Sequence, residues 1–298
     1  MADPADLTPN APDTALIFEG GGMRASFSAG VLNALLEAEA YCGWVGGISA
    51  GSSCLVNYVA RDPARSRRSF VDIATDPRFG GVKTWLRGKG MFHSDWIYEQ
   101  TSEPGEFLPL DYDAFLANPA QVRVGGFRCR DGRMFYWGRD ELQPKWQLMR
   151  KVRASSTMPL LMPVTEVDGE DFVDGALGPS GGIALDAAQQ DGFERFLVVF
   201  TRPRGYHKSP VRLPAAFRAL FRRYPEVARG LLERPDNYNR TLDELLELER
   251  QGRAYLLFPD EMAIENSERD VAKLAATFDA GLAQGRREAP AIRTFVGL

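Results

Sequence analysis

Short apolar runs, glycine turns and helical stretches follow one another from the start of the chain. Thr14 to Phe18 (TALIF) is apolar and runs into Gly20-Gly21-Gly22, which reads as a buried strand entering a glycine turn. In Ala25 to Glu39, Phe27, Val31, Leu32, Leu35 and Leu36 recur at helical spacing. Trp44-Val45 is a second short apolar stretch, followed by Gly47 to Gly51 and a helix-compatible run, Ser52 to Ala60. Strand, glycine loop and helix thus occur twice in succession. That order predicts a parallel sheet covered by helices.

Arg65 to Ala74 and Tyr112 to Ala117 are short helical patterns, with a stretch rich in Gly and aromatic residues between them. Gln121 to Cys129 and Arg133 to Trp137 flank Asp131-Gly132, a hairpin signal. Glu141 to Arg153 has helical character. Pro163 to Val167 and Asp171 to Val173 flank Asp168-Gly169 as a second hairpin. Arg195 to Thr201 (RFLVVFT) is continuously apolar after its first residue, as a strand buried on both faces would be.

Beyond Arg202 the pattern changes. Between Thr201 and Pro225 there are seven Lys or Arg and no acid. Helices are expected over Pro214 to Tyr224, Pro225 to Leu232 and Thr241 to Gln251. A strand follows at Ala254 to Phe258 and a last helix at Ser267 to Ala283, with Ser267 as N-cap. No Gly/Ser linker divides the chain. Three regions are expected: a disordered leader over 1–13, a main domain over 14–201 and a mainly helical extension over 202–298 packed on it. The leader rests on three Asp and three Pro within the first fourteen residues.

Composition narrows the class. The 298 residues are 44% hydrophobic and 26% charged, as in an ordinary globular protein. A net charge of −4 argues against general nucleic-acid binding. The longest apolar runs fall short of the 18 residues a membrane-crossing helix needs. Three cysteines without a C-x-x-C pair suggest neither disulfides nor zinc and point to a reducing, cytoplasmic setting. Cys54 reads as a packing residue.

Candidate chemistry begins at Gly47-Ile48-Ser49-Ala50-Gly51. This G-x-S-x-G, after an apolar stretch and before a helix, has the context of a nucleophile elbow. Gly20-Gly21-Gly22-Met23-Arg24 leaves backbone N–H groups uncovered at a helix start, where negative charge is stabilised. A dinucleotide turn would need an acidic residue closing a second strand. Glu37 and Glu39 fall in the helix instead, so an oxyanion hole is the better reading. For the base, only His93 and His207 are available as histidines, and only His207 follows the order serine, acid, histidine. Asp174, in Val173-Asp174-Gly175-Ala176 after the second hairpin, is the alternative. A desolvated carboxylate has a raised pKa and can act as a base.

Gly-Gly-Gly-Met-Arg, then Gly-Ile-Ser-Ala-Gly, then Asp-Gly-Ala, in this order, resembles the signature of the patatin-like phospholipases. Lys151 to Ser156, Thr201-Arg202-Pro203 and Tyr238-Asn239 resemble a bacterial branch of that family. The resemblance implies a three-layer α/β/α sandwich with a mostly parallel sheet. It implies a Ser-Asp dyad, with Ser49 as nucleophile and Asp174 as base. Gly20, Gly21, Gly22 and the N–H of Ala50 would hold the oxyanion. Arg24, Gly47, Gly51 and Gly175 would support the site, and neither metal nor other cofactor is implied. Ala176 stands where many members carry a second glycine. Gly181-Gly182-Ile183 replaces a turn that often contains proline.

The function expected is lipid acyl-ester hydrolysis through an acyl-enzyme. The alternatives are a lipid-binding protein without turnover and a nicotinamide-dependent oxidoreductase. Phe217, Leu220, Phe221 and Tyr224 share one side of Pro214 to Tyr224, with Arg218, Arg222 and Arg223 towards the other. Such a helix suits peripheral contact with an anionic membrane, although core packing is the more ordinary reading. Arg61, Arg65, Arg67 and Arg68 read as a solvated helix face.

Overall fold

The computed structural model describes residues 7–212 and 214–298. Among them, eight strands form one sheet: β1 (Ala11–Phe18), β2 (Cys42–Ile48), β3 (Gln121–Arg128), β4 (Met134–Trp137), β5 (Thr165–Val167), β6 (Glu170–Asp174), β7 (Arg195–Val199) and β8 (Ala254–Leu257). The helices are α1 (Ala25–Glu37), α2 (Ala50–Val59), α3 (Pro63–Phe70), α4 (Val82–Leu86), α5 (Ser94–Tyr98) and α6 (Tyr112–Ala117). They continue as α7 (Lys145–Ser155), α8 (Leu185–Gln190), α9 (Pro214–Leu220), α10 (Pro225–Arg250) and α11 (Val271–Val296).

Strands β3, β2, β1, β7 and β8 run parallel, in that spatial order. β4 and β6 pair antiparallel with β3, and β5 pairs antiparallel with β6. Side chains alternate between two cores. Leu16 and Phe18 of β1 enter one core, with Phe27 of α1, Leu55 of α2 and Phe278 of α11. Ala15 and Ile17 enter the other, with Ala187 of α8 and Leu242 and Leu245 of α10. Helices therefore cover both faces, and the fold is an α/β/α sandwich with a mostly parallel sheet.

One feature of β3 positions the site. β4 occupies one edge of it over Val124 to Phe127. β2 occupies the other over Gln121 to Gly125, and β6 pairs with Gly126 to Arg128. Because β6 overlaps the span of β4, it must share the edge of β2, end to end with it. Ile48 closes β2 opposite Gly125, and Asp174 closes β6 opposite Gly126. The two strands run towards each other, so their last residues meet.

Several boundaries move relative to the sequence pattern. Residues 1–6 of the expected leader lie outside the described residues. Beyond them Leu7 is buried and β1 already begins at Ala11, so order starts before residue 13. The helices expected over 225–232 and 241–251 are one, α10, which passes through Pro235. Pro235 and Tyr238, inside the stretch over 233–240 that looked like a break, are buried and tie that segment to the core. The last helix starts later and runs further: Asp270, not Ser267, caps it by accepting from the N–H groups of Ala272 and Lys273. The C-terminal region also completes the sheet, since β8 pairs in parallel with β7.

Candidate active site

Ser49 stands between β2 and α2 with φ 57° and ψ −131°, a conformation L-residues rarely adopt. Three bonds hold it there. Its N–H donates to Ser155 Oγ (2.9 Å), while Ser52 donates to its carbonyl from both N (2.9 Å) and Oγ (2.6 Å). The flanking glycines let the turn close. A Cβ on Gly47 would lie 2.2 Å from the Gly51 oxygen, and one on Gly51 would lie 2.1 Å from the Phe18 oxygen.

The head-on meeting of β2 and β6 brings Ser49 to Asp174, 125 positions away, where its Oγ donates to Asp174 Oδ2 at 2.7 Å. The other carboxylate oxygen, Oδ1, accepts from the N–H of Ala176 (2.9 Å), and the N–H of Asp174 donates to the Thr157 carbonyl (2.9 Å). Gly175 lets β6 reach this point, because a Cβ there would press on the Gly125 oxygen at 2.5 Å. Burial raises the Asp174 pKa above the ordinary carboxylate value; Arg234, the Ala176 N–H and Ser49 oppose that only in part. Neither histidine joins the pair. His93 lies beside Asp95 (3.0 Å) and His207 beside Asp243 (3.5 Å).

The glycine loop is used unevenly. The N–H of Gly20 is engaged with the Gly182 carbonyl (3.2 Å), so Gly20 supplies no free donor, contrary to the expectation. Gly21 backs onto Thr201, whose Oγ1 would lie 2.5 Å from a Cβ there. Gly22, at φ +57°, lines the cavity beside Ser49 together with Ala50, the first residue of α2. Ala50 opens α2, and Gly22 opens a short 3-10 turn over Gly22–Arg24, both places where N–H groups lack intrahelical acceptors.

This cavity has an empty volume of about 710 Å³, part of it open to solvent. Its walls are largely apolar, with Val56, Ile73, Phe79, Phe92, Met149 and Met162 among them. An apolar lining of this kind suits an aliphatic chain. Cys54 is fully buried, and burial pushes its thiol well up, which makes it inert packing.

One arginine expectation changes. Arg65 is 3% exposed rather than solvated. Its Nε donates to the Leu108 carbonyl (3.1 Å) and Nη1 to Asn57, and burial lowers its pKa to about 10. Arg24, which follows the glycine loop, is buried too, at 7% exposed. Sequence reasoning gave no role to Ser155 or Asn266. Ser155 lay inside the Lys151 to Ser156 run but carried no local signal. Asn266 accepts the Met23 N–H on its carbonyl (2.9 Å) and lines the cavity, yet it comes from a distant loop.

Residues 16–187 match the family model described as Patatin-like phospholipase. The chain belongs to the patatin-like phospholipase family. Residues 224–297 match a second model, a domain of unknown function termed DUF6363. Escherichia coli (strain K12) YjjU is 28% identical over 214 residues, which span 70% of this chain and 57% of that protein. VipD from Legionella pneumophila shares the fold at a TM-score of 0.51 and 14% identity, over 94% of this chain and 67% of that one. The chain spans a little over half the length of YjjU. Among the described residues, no helix is long and apolar enough to cross a membrane.

Proposed function

We propose that this patatin-like protein is a serine acyl-ester hydrolase working through a Ser49–Asp174 dyad. The observation that carries the reading is the 2.7 Å bond from Ser49 Oγ to a buried, pKa-raised Asp174. Asp174 takes the hydroxyl proton as Oγ attacks the ester carbonyl. The oxyanion forms between the glycine loop and the N-terminus of α2, where the N–H groups of Gly21, Gly22 and Ala50 are the donors. Such a donor is worth roughly 3–4 kcal/mol. The acyl group stays on Ser49 and the alcohol departs with the proton from Asp174. Water then attacks the acyl-enzyme, with Asp174 as base again, and releases the acid. The scheme uses no metal or cofactor.

The substrate is lipid and is met at a surface. Val82, Trp85 and Leu86 of α4 and Leu160 are exposed. Phe79, Phe92, Met158 and Met162, near them in the chain, line the cavity. Lys83 and Arg87 stand exposed beside Val82 and Leu86, which suits an anionic lipid interface. The helix read earlier as a membrane face offers less. Phe221 and Tyr224 pack against the cluster around Phe127 and Val173, which leaves Leu220 outside.

A fluorophosphonate probe tests the enzyme against a lipid-binding protein without turnover. Ser49 is expected to label in the wild type, and Ser49→Ala to lose both labelling and hydrolysis of a short acyl ester. An unlabelled wild type, inert towards every ester, contradicts the proposal.

A further inference from the structure

Arg24, Arg202, Lys208 and Arg234 line a second, open cavity next to the first. They come from three places: the turn after the glycine loop, the segment after β7, and α10. Neighbouring ion pairs form without them, Arg204 taking Glu249 and Arg229 taking Glu226 and Glu233. Among the described residues none of the four pairs with a carboxylate. The Nε atoms of Arg24, Arg202 and Arg234 are buried without a hydrogen-bond partner. Glu19, whose charge acts on Arg24 and Lys208, accepts hydrogen bonds from the N–H (2.6 Å) and hydroxyl (3.0 Å) of Thr201 and forms no ion pair with any of the four. Glu265 is the other acid acting on Arg24. Aromatic rings form part of the wall: the Lys208 ammonium lies 3.2 Å from the Tyr238 ring centre and the Arg202 guanidinium 4.6 Å from that of Tyr206.

Four cations held together with so little compensating charge form a site built for an anion. Burial first, then the surrounding guanidinium groups, push the Lys208 amine down to about 7 against the pull of Glu19. Guanidinium forks from several directions match the several oxygens of a phosphate better than one carboxylate. The site also adjoins the chemistry. Asn266 lines both cavities, and Arg234 acts on the charge of Asp174.

We propose that Arg24, Arg202, Lys208 and Arg234 bind a phosphate group beside Ser49 and couple it to ester turnover. The coupling rests on the hydrolase reading above; the binding does not. The group arrives either on the alcohol part of the lipid or as free phosphate.

Titration calorimetry with inorganic phosphate at constant ionic strength tests binding without turnover. The wild type is expected to bind one phosphate saturably, and Arg202→Gln/Arg234→Gln at least tenfold more weakly. Arg234→Lys, which keeps charge without the fork, should fall between them, and circular dichroism checks that each variant is folded. No saturable binding by the wild type, or equal binding by the double variant, overturns the proposal. Hydrolysis of a 1-acylglycerol 3-phosphate and of the matching monoacylglycerol then identifies the source. A headgroup site appears as at least a tenfold preference for the phosphorylated ester that the double variant loses, with competition by inorganic phosphate. A free-phosphate site appears as a phosphate-dependent turnover of the monoacylglycerol in the wild type that the double variant loses. Binding with neither effect, in a protein that hydrolyses the monoacylglycerol, overturns the coupling. Binding in a protein that hydrolyses no ester leaves the phosphate site standing and sinks the hydrolase reading instead.

Discussion

At Ser49 the backbone sits at φ 57°, and the surrounding bonds keep it there. Strain of this kind costs on the order of 1–3 kcal/mol and persists where neighbours over-determine it. Asp174 carries a second local cost, because burial raises its pKa over the ordinary carboxylate value. Its folded pKa thus lies above the unfolded value of about 3.9. The folded state then binds the proton more tightly, so stability falls as pH rises from about 3.9 to the raised value. Above that window the penalty stays constant. Asp174→Asn, neutral throughout, is expected to melt no lower than the wild type at pH 7 and to lose hydrolysis by at least roughly 100-fold. A lower melting temperature together with retained hydrolysis contradicts both roles. In the wild type, the acid limb of kcat/KM is expected above pH ~4, since the base must be ionised. A limb at or below the free-aspartate value removes Asp174 as the base.

Among the elements, α1 and α11 touch backbone to backbone. A Cβ on Gly281 would lie 2.1 Å from the Phe27 oxygen, and one on Gly30 would lie 2.1 Å from the Phe278 oxygen. Both contacts are with rigid main chain, so the helices must separate to admit a side chain. Gly281→Val is expected to cost about 1–3 kcal/mol or more, read as a lower thermal midpoint. An unchanged midpoint means that the extension is not a structural part of the main domain. The apolar spacing of α1 and the runs of β1 and β7 were legible because each repeats a local period. The continuity of α10 was not. Pro235 and the polar residues around it signal a break, and the burial of Tyr238 against the core accompanies the helix through it. Arg65 was misread for the same reason. Charge on a helix predicts solvent unless a distant loop, here at Leu108, supplies acceptors.

For the molecule as a whole, the proposed docking of α4 on a lipid surface predicts that activity depends on that surface. Trp85→Glu/Leu86→Glu should co-sediment with anionic vesicles several-fold less than the wild type. Hydrolysis of lipid in those vesicles should fall in parallel, while turnover of a soluble short-chain ester falls far less. Equal losses on both substrates contradict a docking role for α4.

By itself, the sequence determined the elbow, the glycine loop and the alternation of strands with helices. Each of these depends on residues adjacent in the chain: glycine where backbone must approach backbone, apolar groups at a helical or strand period. Asp174 was named by the Asp-Gly-Ala motif, but how it reaches Ser49 was decided by the tertiary structure, because β3 lends one edge to both β2 and β6 and turns their ends towards each other. The same holds for the loss of Gly20 as a donor, the burial of Arg65 and the gathering of Arg24, Arg202, Lys208 and Arg234. All of them depend on contacts between segments far apart in the chain, and local periodicity carries no record of those.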